Sequence, residues 1–130
     1  MNALRNETSI RPKVACFLAA EAALFAAASL VHAGVLGHAY GHARAATAEG
    51  IIAGVLILGL LAGRRWAGAA RRIALGVQAF ALLGTLVGVF TIVIGVGPQT
   101  WPDLVFHIVL LGVLVLGIAM AARPAGCSKG

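Results

Sequence analysis

The stretch "FLAAEAALFAAASLVHAG", residues 17–34, decides the fold, because it is built for lipid yet carries two ionisable side chains, Glu21 and His32. Crossing the hydrocarbon of a bilayer takes about 20 apolar residues. Followed to its apolar limits, this run covers residues 14–37, long enough to span. Three further runs follow at 47–63, 73–96 and 104–122. Each is bounded by charge or by helix breakers: "RPK" before the first, "GRRWAGAARR" between the second and third, "GPQTWPD" between the third and fourth, and "RPAGCSKG" after the last. The sequence therefore predicts one all-α membrane domain over residues 1–130, a transmembrane four-helix bundle.

Composition agrees. Hydrophobic residues make up 61% of the 130-residue chain and charged residues 11%, where a soluble domain carries about 25% charged residues. Ala, Gly, Val and Leu dominate, and small residues suit close helix packing in lipid. The net charge of +6 does not indicate nucleic-acid binding, because the basic residues form no single patch and fall in short clusters between the apolar runs. Cys16 and Cys127 belong to no CxxC pair, so no zinc or redox framework is visible.

The basic clusters set an orientation. Arg5, Arg11 and Lys13 precede the first span, Arg64, Arg65, Arg71 and Arg72 separate the second from the third, and Arg123 and Lys129 follow the fourth. With four spans all of these share one side, and Arg44 is on the other. The positive-inside rule then places both termini and the middle loop in the cytoplasm of a multi-pass plasma-membrane protein. The middle cluster also suits contact with anionic headgroups. Trp66 and Trp101 flank spans, as interfacial aromatics do. "ARA" at 43–45 resembles a signal-peptide cleavage site. However, the run before it exceeds a normal signal core, carries Glu21, and would leave three spans with no charge asymmetry if removed; the first span is expected to stay.

An internal repeat is visible in the polar residues. Glu21 and Gln78 lie at similar places in spans one and three, and Glu49 and His107 near the starts of spans two and four, at offsets of 57 and 58. Two helical hairpins would then be parallel repeats about an axis along the membrane normal. At 1.5 Å per residue, Glu21 and Gln78 share a depth in the inner half, so a hydrogen bond between them is expected. An ionised Glu there costs about 2.5–3.5 kcal/mol, which calls for a neutral carboxyl or a basic partner. His32 follows Glu21 by eleven residues, an advance of about 1100°, so the two share one helix stripe. Glu21, Gln78 and His32 are candidates for handling a ligand or a proton.

At the other end, His32, His38, His42, Glu49, Asp103 and His107 come from separate parts of the chain to one expected outer face. His and carboxylate are ligand types for zinc, copper, iron or nickel, and His32 with His107 could ligate a haem; a metal ion or haem is the cofactor such a cluster would take. Asp103, after Pro102 and before an apolar run, is also expected as the N-cap of the fourth helix. Gly50-x-x-x-Gly54 and Gly84-x-x-x-Gly88 are candidate helix-packing surfaces, within the bundle or in a dimer. No GxSxG, HExxH, P-loop or dinucleotide fingerprint is present, and no catalytic residue is assigned.

Through "AEG" at 48–50 and "GTLVGVFTIVIGVGPQTWPDLVFH" at 84–107, the whole chain resembles the small four-span integral membrane proteins frequent in high-GC bacteria such as actinobacteria. In span count and size it is also similar to DoxX-like proteins, a likeness of layout that implies a redox association. The leading expectation is a non-catalytic bundle that binds a partner protein, a lipid or a small hydrophobic ligand, in the bilayer and with room for homo-oligomerisation. The alternatives are a redox-associated protein binding metal, haem or quinone through the outer His/Glu cluster, and an oligomeric proton or cation transporter using the Glu21–His32 stripe.

Overall fold

The computed structural model describes residues 10–124; Arg5, Cys127 and Lys129 lie outside them. The described residues form four long helices: α1 (Pro12–His32), α2 (Ala43–Arg65), α3 (Ala70–Val93) and α4 (Trp101–Ala122). Single 3₁₀ turns at His38–Tyr40 and Ala67–Ala69 interrupt the first two connections. All four helices are long and apolar enough to cross a membrane, with mean hydropathies between 2.0 and 2.7 over their spanning segments.

Local chemistry moves the helix ends away from the apolar limits of the sequence. Pro12 opens α1, where its missing N–H would be unpartnered in any case. At the other end Gly34 adopts φ +77°. The Gly34 and Val35 N–H groups donate to the Val31 and Leu30 carbonyls, at 3.0 Å each, a Schellman closure. Apolar residues 35–37 therefore lie beyond the helix. The end of α3 repeats this device: Gly95 has φ +79°, and the Gly95 and Val96 N–H groups donate to the Ile92 and Thr91 carbonyls at 3.1 and 2.9 Å. The second helix runs farther than its apolar core, from Ala43 through Arg65, because the His42 side chain caps its start by accepting from the Ala45 N–H. The fourth begins at Trp101, with Pro102 tolerated in its first turn.

Each helix packs against the next, and α1 closes the ring against α4, leaving α1 and α3 diagonal. This is an up-down-up-down bundle. Its two ends differ. The hairpin end holds the α1–α2 and α3–α4 connections, and the basic end holds the α2–α3 connection with Arg64, Arg65, Arg71 and Arg72. There Arg11 donates to the Met120 carbonyl at 2.6 Å and Arg71 to the Ala122 carbonyl at 2.7 Å. These bonds satisfy carbonyls that the last turn of α4 leaves open.

The bundle interior holds Leu18, Phe25, Leu56, Leu110 and Leu114, while Leu58, Leu83, Ile108 and Leu116 are exposed. Large apolar side chains all around the outside are what a lipid-facing surface requires. The repeat reappears as a burial register. Glu49, Ile52, Leu56, Gly59 and Gly63 line the inner face of α2, and His107, Leu110, Leu114, Gly117 and Ala121, each 58 residues later, line that of α4. Glu21 and Ala28 of α1 have buried counterparts 57 residues on in Gln78 and Thr85 of α3.

Glycine sets the closest approaches. A Cβ at Gly84 would lie 2.6 Å from Ile52, one at Gly59 2.7 Å from Val77, and one at Gly50 3.1 Å from Ser29. Gly88 meets His107, whereas nothing lies within 4 Å of a Cβ at Gly54. Of the two expected GxxxG surfaces, Gly54 thus makes no close approach inside the bundle. A Cβ at Gly117 would run into both the Glu21 carboxyl and the Gln78 amide. Those groups are fully buried and bonded to each other, so they cannot swing aside. Gly117→Ala should therefore cost about 1–3 kcal/mol through overpacking, and Gly54→Ala should cost nothing. Thermal unfolding in mild detergent checks this; equal melting temperatures for the two variants would contradict the packing.

Candidate functional site

The site is assembled from buried polar groups supplied by all four helices. Near the middle of the bundle, the Gln78 amide nitrogen donates to both oxygens of Glu21, at 3.0 and 3.2 Å. The structure thus joins the acid and the amide that share a depth in the sequence. Gln78 Oε1 is buried with no hydrogen-bond partner among the described residues. Thr85, two turns along α3, turns its hydroxyl back onto the Ala81 carbonyl at 2.9 Å.

At the hairpin end His32 lies between two carboxylates. Its Nδ1 is 2.7 Å from Glu49 Oε2 and its Nε2 is 2.8 Å from Asp103 Oδ1. All three residues are buried. Each gap must hold one hydrogen, since two lone pairs at that distance would repel. With one hydrogen in each gap and none on the remaining carboxyl oxygens, the group has a net charge of −1, whether the imidazole is doubly protonated or one carboxyl keeps a proton. The cluster ties α1 to α2 and α4. Two further bonds at the same end reinforce it: the Ser29 hydroxyl donates to the Ala46 carbonyl, and the His42 N–H to the His32 carbonyl, both at 2.7 Å.

Asp103 is positioned by a device that the sequence reading assigned differently. The N-cap of α4 is Thr100, whose Oγ1 accepts from the Asp103 N–H. Asp103 stands three positions later and accepts the Thr100 hydroxyl hydrogen through Oδ2. Asp103 is therefore the third residue of α4 and not, as expected from the sequence, its N-cap. The first turn begins before Pro102, because proline fits there. Thr-x-x-Asp at 100–103 has the spacing of a capping box, and that signal could have located Thr100.

His107 follows one turn after Asp103, and its Nδ1 donates to the Asp103 carbonyl at 2.7 Å. Its Nε2 faces Gly88, where a Cβ would approach to 2.9 Å. His42 spends its Nδ1 on capping α2, and His38 is exposed on its 3₁₀ turn. Of the six outer candidates, His32, Glu49 and Asp103 thus form one cluster, His107 stands beside it, and His38 and His42 stand apart. Both ring nitrogens of His32 are engaged by carboxylates, so in this arrangement the ring offers no lone pair to a metal or haem iron. Among the described residues, no group of three or more His, Cys, Asp or Glu side chains is placed to hold a metal ion.

Two cavities flank the cluster. One, of about 270 Å³, lies between α2, α3 and α4 at the hairpin end; its wall includes Phe25, Glu49, Ile52, Thr85, Gly88 and His107, with His42 and Arg44 at the end nearest the connections. The other, of about 390 Å³, lies between α1 and α4 and is lined by Val31, His32, Tyr40, Asp103 and Phe106 among others. The cluster forms part of the wall of each. No family model matches the chain, and neither a curated protein nor a solved structure shows significant similarity to it.

Removing His32 would leave two buried carboxyls facing a void. His32→Ala should therefore lower stability by about 3–5 kcal/mol, the cost of breaking a buried ionic group from one side. Replacing all three residues with leucine should recover most of that loss, because the desolvation cost disappears with the charges. Denaturation midpoints in mild detergent measure both; an unaltered midpoint for His32→Ala would show that the cluster does not hold the helices together.

Proposed function

We propose that this chain is a small non-catalytic membrane protein that binds a small, largely apolar ligand in the cavity between α2, α3 and α4. The observation that carries the reading is the cavity itself. It is mostly apolar, about 270 Å³ in volume, and has a few fixed polar groups, Glu49, Thr85 and His107, on its wall. Ligand sites have this composition, and bundles place them between helices. The polar groups are held before any ligand arrives: Glu49 by His32, Thr85 by the Ala81 carbonyl, and His107 by the Asp103 carbonyl. Such preorganisation reduces the ordering cost of binding. Ala48 and Val87, which are exposed and would face lipid, also line the cavity. A ligand dissolved in the bilayer can enter beside them.

In this reading the basic end faces the cytoplasm and the hairpin end the outside, as the distribution of arginine supports. Cysteines placed singly at Gly68 and at Tyr40, in a background with Cys16 and Cys127 changed to Ala, test this in intact cells. The membrane-impermeant thiol reagent should label position 40 and spare position 68; the opposite pattern would invert the topology. For the ligand, Ala48→Phe carries a ring into the cavity from its exposed edge. Protein purified from membranes should yield a bound small molecule on organic extraction and mass spectrometry, and Ala48→Phe should yield less than a tenth as much. Equal recovery from both would place the ligand elsewhere.

A further inference from the structure

We infer that the α2–α3–α4 cavity selects a hydrogen-bond-donating cation, a protonated amine on a compact apolar body. The inference rests on the ligand-binding reading above and names the class of ligand. It follows from counting hydrogens on the cavity wall. The Thr85 hydroxyl donates to the Ala81 carbonyl at 2.9 Å, and the Thr91 hydroxyl to the Gly88 carbonyl at 2.7 Å. A carbonyl oxygen can only accept, so the bond from His107 Nδ1 to the Asp103 carbonyl puts the neutral ring's hydrogen on Nδ1. Nε2 keeps its lone pair, faces Gly88 on the wall, and makes no hydrogen bond among the described residues. Glu49 gives Oε2 to His32, and its Oε1 likewise has no hydrogen bond among them. With Glu49 ionised and His107 neutral, the side chains of Glu49, Thr85, Thr91 and His107 have no free donor and present acceptors.

Charge points the same way. With one hydrogen in each of its two gaps and none elsewhere, the cluster of His32, Glu49 and Asp103 has a net charge of −1, and Glu49 is its member on this wall. An ammonium group brings up to three N–H donors and one positive charge, and charge-assisted bonds are about twice as strong as neutral ones. An alcohol brings one donor and leaves the charge unanswered. A carboxylate would meet acceptors on every side of the inner wall and would have to stay at the mouth with Arg44. Arg44 is exposed there, in the first turn of α2, where water screens its charge. The cavity's volume of about 270 Å³ equals about nine water volumes of about 30 Å³ each, enough for a phenylethyl group and its amine.

The test uses the full chain in lipid nanodiscs and equilibrium dialysis at pH 7, with empty nanodiscs subtracted. The probes are 2-phenylethylamine, 2-phenylethanol and 3-phenylpropionate, which share a body and differ in the polar end. The amine should bind at least tenfold more tightly than either of the others. Glu49→Gln should erase that preference, bringing the affinities for amine and alcohol within about twofold of each other. Thr85→Val, which removes an acceptor outside the charged cluster, should weaken the amine by about threefold if Glu49→Gln does not fold. Alcohol or acid binding as tightly as the amine, with Ala48→Phe abolishing it, would overturn the ligand class and keep the cavity. If none of the three binds wild type better than Ala48→Phe, the cavity reading fails, and this inference with it.

Discussion

The bonds of His32 to Glu49 and Asp103 are what the helix arrangement depends on. Lipid tails are as apolar as leucine, so burying Leu18 or Leu114 instead of leaving it against lipid gains little. What distinguishes one helix face from another is the cost of leaving a polar group in hydrocarbon. Among the described residues, seven polar or charged side chains are buried: Glu21, His32, Glu49, Gln78, Thr85, Asp103 and His107. Each sits on the inner stripe of its helix, and each finds at least one partner inside. The Glu21–Gln78 bond fixes the rotation of α1 against α3 across the diagonal. The His32 cluster fixes α1 against α2 and α4. Together they specify the rotation of all four helices, which the apolar residues alone would leave degenerate.

The repeat explains where the cluster arises. At equivalent positions the hairpins match closely: Gln78 for Glu21, Leu110 for Ile52, Leu114 for Leu56, Gly117 for Gly59. The charged cluster departs from that symmetry. The residue 57 after His32 is Val89, and the residue 58 before Asp103 is Ala45. The first hairpin supplies the imidazole, and the second supplies a carboxylate where its counterpart has a methyl group. A symmetric bundle would have two equivalent hairpin-end environments; this one concentrates its charge on one side of the axis.

Much of this was legible in the sequence, for identifiable reasons. Four apolar runs separated by charge leave few alternatives once backbone groups must be satisfied within each span. Equal depth and an equivalent repeat position made Glu21 and Gln78 a natural pair. The limits were geometric. Periodicity places His32 on the inner stripe but does not say that both its nitrogens are taken, so a metal or haem ligand and a twice-bonded structural imidazole look alike in one dimension. Apolar composition continues past Gly34 and Gly95, and only the positive φ at those glycines ends the helices. Thr85, seven residues after Gln78, is legible as part of the same bundle-facing stripe, but a threonine that bonds its own backbone and one that lines a cavity have the same spacing, and Thr91 carries no signal of its own.

The cavity has its own cause in side-chain volume. On the facing surfaces of α2 and α3 near the hairpin end stand Ala45, Ala48, Gly84 and Gly88. One turn deeper than Ala48, Ile52 fills the space over Gly84, approaching to 2.6 Å of where a Cβ would be. The helices are thus brought together by Ile52 against Gly84 and have nothing large to fill the gap above it. Gly88 belongs to both requirements. It leaves the gap open, and it leaves room for the His107 ring, whose Nε2 would stand 2.9 Å from any Cβ there. A larger residue at that position would therefore remove volume and displace the ring in one step. The open space and the acceptor that faces it have a single structural origin, which is why the cavity and the polar wall are best read as one site.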